Sequence, residues 1–357
     1  MRVKVEKLKR GRMFSMENVA EGFDLRLPLR SYEVVGYKAI NVLRYCLSFL
    51  PKIGIVKPPP ERPNGISALV RSCNDEWIVP SLKSIKDFAD EIIVVDASTD
   101  DTPVRVKEFA KREGLKKIHF IHINLPLESY MGGDTETHTY HSNVGLRFAS
   151  YRWVVIWDAD FVAYTNGPND IMELRKFLLD LDPKIYYRVH VGFVYLDGDF
   201  FHIRPDGVRI RREPFAFTWS PKVKYYDGGR FEMMTFPLYY RRLLIPKIYA
   251  VHLATVKEAR YLLYRKYWTD WRELRDFQRF PRLEDYVRYR LKMDYNIDSE
   301  EEGIKMTFVE LAKSLMKCNY LLKNCPEVLR DELANPRYKI IYDENGKIIG
   351  RNDISLE

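Results

Sequence analysis

The sequence predicts an α/β protein built on a mostly parallel sheet. Three short, branched-aliphatic runs, Ile66 to Val70, Ile92 to Val95 and Trp153 to Trp157, are bounded by turn residues, as buried strands are. Stretches with helical spacing alternate with them. The second and third runs end in acidic clusters, Asp96 and Asp158-Ala159-Asp160, at the strand ends where open parallel sheets bind ligands.

The chain has 357 residues, 46% of them hydrophobic, which at roughly 150 residues per domain allows about two domains and a sizeable core. Disordered and fibrous classes are excluded. Every apolar run is soon interrupted, and even Tyr37 to Val56 contains Lys38, Arg44 and Lys52, so no bilayer-spanning helix is expected. Four cysteines make no disulfide framework and no C-x-x-C pair, which fits a reducing, cytoplasmic setting. The formal charge of +8 favours anionic partners such as nucleotides, phospholipid surfaces or nucleic acid. A single glutamine beside 30% charged residues hints at a thermophilic source.

Residues 1–62 read as a basic extension: six of the first twelve residues are Lys or Arg, and Pro58-Pro59-Pro60 closes it as a stiff linker. No apolar run follows the basic start directly, which argues against a signal peptide. After the first strand, Trp77 to Ala89 has helical spacing, and Val104 to Glu113 is an amphipathic helix stopped by Gly114. Lys117 to Ile123 reads as a strand, His141 to Ser150 as a helix, and 185–252 as strand-like and aromatic. Helices are expected over 256–335, and the tail 336–357 holds a hairpin with a type I′ signal at Asn345-Gly346.

Two aspartates at i and i+2 on a strand end let one meet a divalent cation while the other contacts ribose or a metal-bound water. Hard oxygen ligands select Mg²⁺ or Mn²⁺. The sequence has neither a G-x-G-x-x-G loop nor a Walker-type loop, so phosphate charge has to be met by metal and basic side chains.

Three motifs in order, Ile66 to Ile78 (ISALVRSCNDEWI), Asp90 to Thr102 (DEIIVVDASTDDT) and Trp153 to Asp160 (WVVIWDAD), resemble the nucleotide-binding half of glycosyltransferase family 2. The likeness is clear over 65–165 and continues weakly to about 255. It implies a GT-A fold, here 63–255, and transfer of sugar from a nucleotide-diphosphate sugar, of UDP or GDP type, to a hydroxyl acceptor with inversion. Val70, Arg71, Asn74 and Asp75 would line the base and ribose pocket, with Asp96 and Ser98 beside them. Asp158 and Asp160 would hold the metal that bridges the diphosphate, with His252 completing the shell. Asn143 either contacts ligand or caps a helix. The general base would be Glu232, with Asp227 as second candidate. Arg209, Arg211 or Arg212 could add positive charge.

The sequence departs from the family pattern at Ala97, Phe161 and Cys73, which bears on the base and sugar bound rather than on the metal. His138 and His141, with Asp134 and Glu136, match no standard zinc spacing, and the stretch around Gly132-Gly133 reads instead as a mobile acceptor loop. The basic, aromatic segment Glu258 to Lys292 reads as an amphipathic cap; its other readings are a face for an anionic membrane, for a lipid-linked acceptor or, less favoured, for nucleic acid. Lipid phosphate, polysaccharide, protein and small-solute acceptors all stay open, a lipid-linked or polysaccharide hydroxyl among them. Two other functions stay open: a sugar-phosphate nucleotidyltransferase, and a non-catalytic binder of nucleic acid or anionic lipid.

Overall fold

The computed structural model describes residues 41–123, 135–211, 213–227, 232–273, 276–318 and 325–356. Its centre is the parallel unit the aliphatic runs predict: β1 (Ile66–Ser72), α1 (Ile78–Ile85), β2 (Glu91–Asp96), α2 (Thr102–Arg112), β3 (Ile118–His122), α3 (Thr135–Phe148) and β4 (Trp153–Asp158). The strands lie side by side as β3, β2, β1, β4, all parallel. This is a Rossmann-like core. β1 sits in the middle, with Val70 opposite Val94 on one side and Trp157 on the other.

Side chains alternate between two covered faces, as the period of two in a strand requires. Ala68, Val70, Ile92, Val94, Val155 and Trp157 meet α1, α2 and α4 (Ile171–Leu179) on one face. Leu69, Ile93, Val95, Val154 and Ile156 meet Leu146 of α3, together with Tyr225 and Tyr240, on the other. α3 comes so close that a Cβ on Gly145 would lie 1.9 Å from Leu69 Cδ1, so only glycine fits there.

Beyond β4 the sheet turns mixed. After β5 (Phe161–Ala163), β6 (Tyr187–Leu196), β7 (His202–Ile210) and β8 (Ala216–Thr218) extend it antiparallel through β8, and β11 (Arg241–His252) pairs parallel with β6 and antiparallel with β5. A separate ribbon joins β9 (Tyr225–Asp227) to β10 (Glu232–Met234). The C-terminal part carries α5 (Ala259–Glu273), α6 (Leu283–Tyr295) and α7 (Glu300–Ala312), then β12 (Met316–Lys317), which adds to the edge of β7, and α8 (Arg330–Ala334). Tyr264, Tyr267, Trp271 and Tyr286 are buried against one another and Leu263, so much of the predicted aromatic stripe is core.

Three boundaries differ from the sequence expectation. α3 starts at Thr135, six residues early, so Asn143 is interior and is not a helix cap. The tail is a three-stranded sheet, β13 (Ile340–Tyr342), β14 (Ile348–Arg351) and β15 (Ile354–Ser355). Its turn is not type I′, since Gly346 has φ of +77° but Asn345 has no positive φ; the Asp343 carboxylate instead accepts from the N–H groups of Asn345 and Lys347, which stabilises a longer loop. Finally, the proline-rich segment is strapped to the domain: Pro58 O accepts from Tyr186 Oη, and Pro63 O from Arg152 N. Residues 1–40, the stretch with Gly132-Gly133 and Asp134, and Arg212 lie outside the described residues.

Candidate active site

The C-terminal ends of the neighbouring strands β1, β2 and β4, and of β11 beside β5, carry a set of charged side chains in mutual contact. At the end of β2, Asp96 is fully buried and accepts from Ser98 Oγ at 2.6 Å and Ser98 N at 3.2 Å, with His122 Nδ1 at 2.9 Å. Ser98 Oγ in turn accepts from Asn74 N at 2.7 Å. Asn74 has φ of +48°, a left-handed conformation that asparagine tolerates better than most residues. Its Oδ1 accepts from Thr99 N at 2.8 Å and Asp100 N at 3.2 Å. The loops of the first and second motifs are thereby clasped into one rigid rim. Val70 stands further back, wholly buried in the core, and supports Arg71.

The two aspartates of the acidic pair have different partners. Asp158 Oδ1 accepts from Arg71 Nη2 at 2.6 Å and Nε at 3.1 Å, and Oδ2 from Arg211 Nη2 at 3.1 Å. Arg211 also holds Glu213 at 2.6 Å, and Glu213 accepts from Tyr225 Oη at 2.9 Å. Asp160 Oδ1 lies 3.2 Å from His252 Nε2, and Oδ2 lies 3.0 Å from Lys257 Nζ. Lys257 Nζ is also 2.7 Å from Asp75 Oδ2, while Asp75 Oδ1 accepts from Trp77 N at 2.9 Å.

Charge state follows from these contacts. Burial works against ionising Asp158, but Arg71 and Arg211 outweigh it and hold the carboxyl below its ordinary range. Burial likewise opposes the Asp160 carboxylate, which Lys257 and His252 hold well down. Lys257 would lose its proton more readily through burial alone, yet Asp160 and Asp75 keep it firmly charged. Asp75 is pushed up by burial, with Lys257 countering and Asp160 adding to the rise. Burial pushes the Cys73 thiol up, with Asp96 adding, which favours the protonated thiol over the thiolate.

Of the predicted metal ligands, Asp160 contacts His252, while Asp158 pairs with Arg71 and Arg211 and lies within electrostatic reach of both Asp160 and His252. Adjacent donors of an octahedral Mg²⁺ or Mn²⁺ stand about 3 Å apart, given bonds of about 2.1 Å. Asp160 Oδ1 and His252 Nε2 are in hydrogen-bond contact at 3.2 Å, a separation that two adjacent donors of such an ion would also show. Among the described residues no cluster of three His, Cys, Asp or Glu is arranged to hold a metal, and two protein ligands are what Mg²⁺ sites that also use substrate phosphates commonly offer. The His252 ring is gripped edge-on by Phe161 and Tyr195, with centroids at 4.7 and 5.0 Å.

Asn143 exchanges two hydrogen bonds with the Tyr225 backbone, at 2.9 and 3.0 Å, so it anchors β9. Asp227 and Glu232, the two candidate bases, are directly opposite each other in that ribbon; their side chains, like those of Glu136 and His138, lie outside the described residues. Of the three arginines, Arg211 reaches the pocket, whereas Arg209 pairs with Asp206 at the surface. Sequence reasoning missed Lys257 and Glu213. Their only sequence signal is proximity, Lys257 in the run after His252 and Glu213 just after Arg211.

No family model matches the chain, and no curated protein matches it. Two solved structures of S. aureus TarS 1-349, one of them in complex with UDP, are similar to it at 14% and 15% identity. Each alignment covers 82% of this chain and 97% of that one, with TM-scores of 0.37 and 0.38. An overlap of that size carries no argument, so the fold assignment rests on strand order and register.

Proposed function

We propose that this chain is a glycosyltransferase of the GT-A type, moving a sugar from a nucleotide-diphosphate sugar to a hydroxyl acceptor. The observation that supports the reading is the meeting of the three motifs at one sheet edge, where Asp160 contacts His252 and Lys257 and Asp158 contacts Arg71 and Arg211. Asp96, Ser98 and Asp75 suit the base and ribose, and Arg71 and Arg211 preorganise the Asp158 side of the pocket. A divalent cation, Mn²⁺ or Mg²⁺, held by Asp160 and His252 would act as Lewis acid on the leaving diphosphate. Glu232 or Asp227 on the ribbon would take the acceptor proton on the face opposite the leaving group, giving inversion. Asn143 positions that ribbon through Tyr225.

Among the described residues no helix is long and apolar enough to cross a membrane. Val42, Leu43, Ile53 and Ile55 are each exposed in the segment 42–55, which supports the reading that the chain makes peripheral contact with a membrane.

A thermal-shift panel tests the reading: UDP, GDP, CDP and dTDP, each with and without Mn²⁺, on wild type and Asp158→Ala/Asp160→Ala. One nucleotide at a hundred times its Kd should add about 2.7 kcal/mol with metal to wild type, and nothing to the variant. No response from wild type to any nucleotide sinks the proposal. Release of pyrophosphate instead of nucleoside diphosphate would favour the nucleotidyltransferase.

A further inference from the structure

We propose that Lys257 is a built-in counter-cation that keeps a divalent ion off the empty pocket, so that metal and diphosphate are captured together. The inference rests on the metal site proposed above and adds to it a coupling between its two ligands. Lys257 is almost fully buried and touches both Asp160 and Asp75. Asp160 therefore presents one oxygen to the ammonium and the other toward His252. A divalent ion on the His252 side would share a single carboxylate with a fixed positive charge, in a pocket where water screens little.

The Lys257 ammonium is held by Asp75, Asp160 and the Tyr261 ring. Val256 O accepts from Trp77 Nε1 at 2.6 Å, and Lys257 O accepts from Arg351 Nη2 at 2.9 Å, so the backbone on both sides of its Cα is pinned. Ala259 N donates to Asp353 at 3.1 Å. The Tyr261 ring lies 4.7 Å from Nζ and favours a cation there. Asp75 retains the ammonium even when Asp160 turns to metal. An incoming diphosphate changes the balance: its oxygens accept from Lys257 and ligate the metal, which converts repulsion between two cations into shared attraction to one anion. By linkage, metal then tightens nucleotide binding by the factor that nucleotide tightens metal binding.

The test is titration of Mn²⁺, followed by its paramagnetic resonance signal, into wild type, Lys257→Met and Lys257→Arg, first with metal alone and then with saturating UDP or GDP. Asp75→Asn/Lys257→Met removes both members of the buried pair and serves if the single variant does not fold; it also shows whether a released Asp75 is itself the added ligand. Wild type should bind Mn²⁺ alone weakly and with nucleotide at least about tenfold more tightly, within the usual range for coupled sites. Lys257→Met and the double variant should bind Mn²⁺ alone at least about tenfold more tightly than wild type, with Lys257→Arg close to wild type. If removing the ammonium leaves the affinity for Mn²⁺ alone unchanged while nucleotide-dependent binding persists, the coupling is wrong and the metal site stands. If no protein binds Mn²⁺ with or without nucleotide, the metal site and the coupling both fall.

Discussion

Replacing Asp158 with Asn probes the charged floor of the pocket with little change in volume. Three N–H groups of Arg71 and Arg211 converge on this carboxylate at 2.6 to 3.1 Å. At an effective dielectric near 20, a unit charge pair at 4 Å attracts by about 4 kcal/mol, before several kcal/mol of desolvation are subtracted. Removing one partner of a fully buried pair costs about 3–5 kcal/mol, but Asp158 is 25% exposed and the new amide oxygen still accepts from one arginine, so about 2 kcal/mol is expected. For a 357-residue chain unfolding as one unit, at about 2.1 cal/mol/K per residue, that corresponds to a fall in Tm of roughly 2–4 °C. Urea unfolding followed by fluorescence of the buried Trp153 and Trp157 reads it, with an unchanged denaturant slope. Arg71→Met placed on the Asp158→Asn background should lose less than the sum of the single changes. Because the folded state holds Asp158 below its ordinary range, its contribution is complete above pH of about 4 and fades as pH falls toward the depressed value. Wild type and variant should therefore converge in acid. A loss under about 1 kcal/mol at neutral pH would mean the contacts are solvated and do not organise the pocket.

Gly145→Ala should destabilise by about 1–3 kcal/mol in urea despite alanine's better helix propensity, because its methyl group meets the fully buried Leu69. The His190 imidazole, buried beside Arg242, Arg188 and Arg211, is pulled down to about 3. Its contribution is whole above about pH 6.5 and is lost by about 1.4 kcal/mol per pH unit on acidification; His190→Gln should lack this slope between pH 6 and 5, and parallel curves would refute it. Arg351 is fully buried and donates to Gly198 O and Lys257 O at 2.9 Å. Arg351→Met should cost about 3 kcal/mol and make the C-terminal sheet the first site of limited proteolysis, whereas an unchanged cleavage pattern would count against its clamping role.

The parallel core was legible because its signals are local. Runs such as Ile92 to Val95 can be satisfied only by burial on both faces, and the polar clusters that end them, with Pro103 and Gly114, punctuate the chain wherever it is folded. Asp96, Asp158 and Asp160 were readable for the same reason, as acidic residues on the ends of apolar strands. Asn143 was misread as a possible cap because helical spacing does not mark where α3 begins, and its clasp on Tyr225 joins segments far apart in the chain. The turn at Asn345-Gly346 went astray when the Asp343 side chain outbid the two-residue loop for backbone N–H groups.

By itself the sequence determined the four strands of the parallel core and the acids at the ends of two of them, since hydrophobic period and turn chemistry act between near neighbours. Tertiary structure alone decided the counter-charges: Asp158 between Arg71 and Arg211, and Asp160 between His252 and Lys257. Coulomb attraction depends on distance in space and on exclusion of water, and neither exists until β1 and the residue after β7 meet β4 and until β11, with the segment after it, packs beside β5.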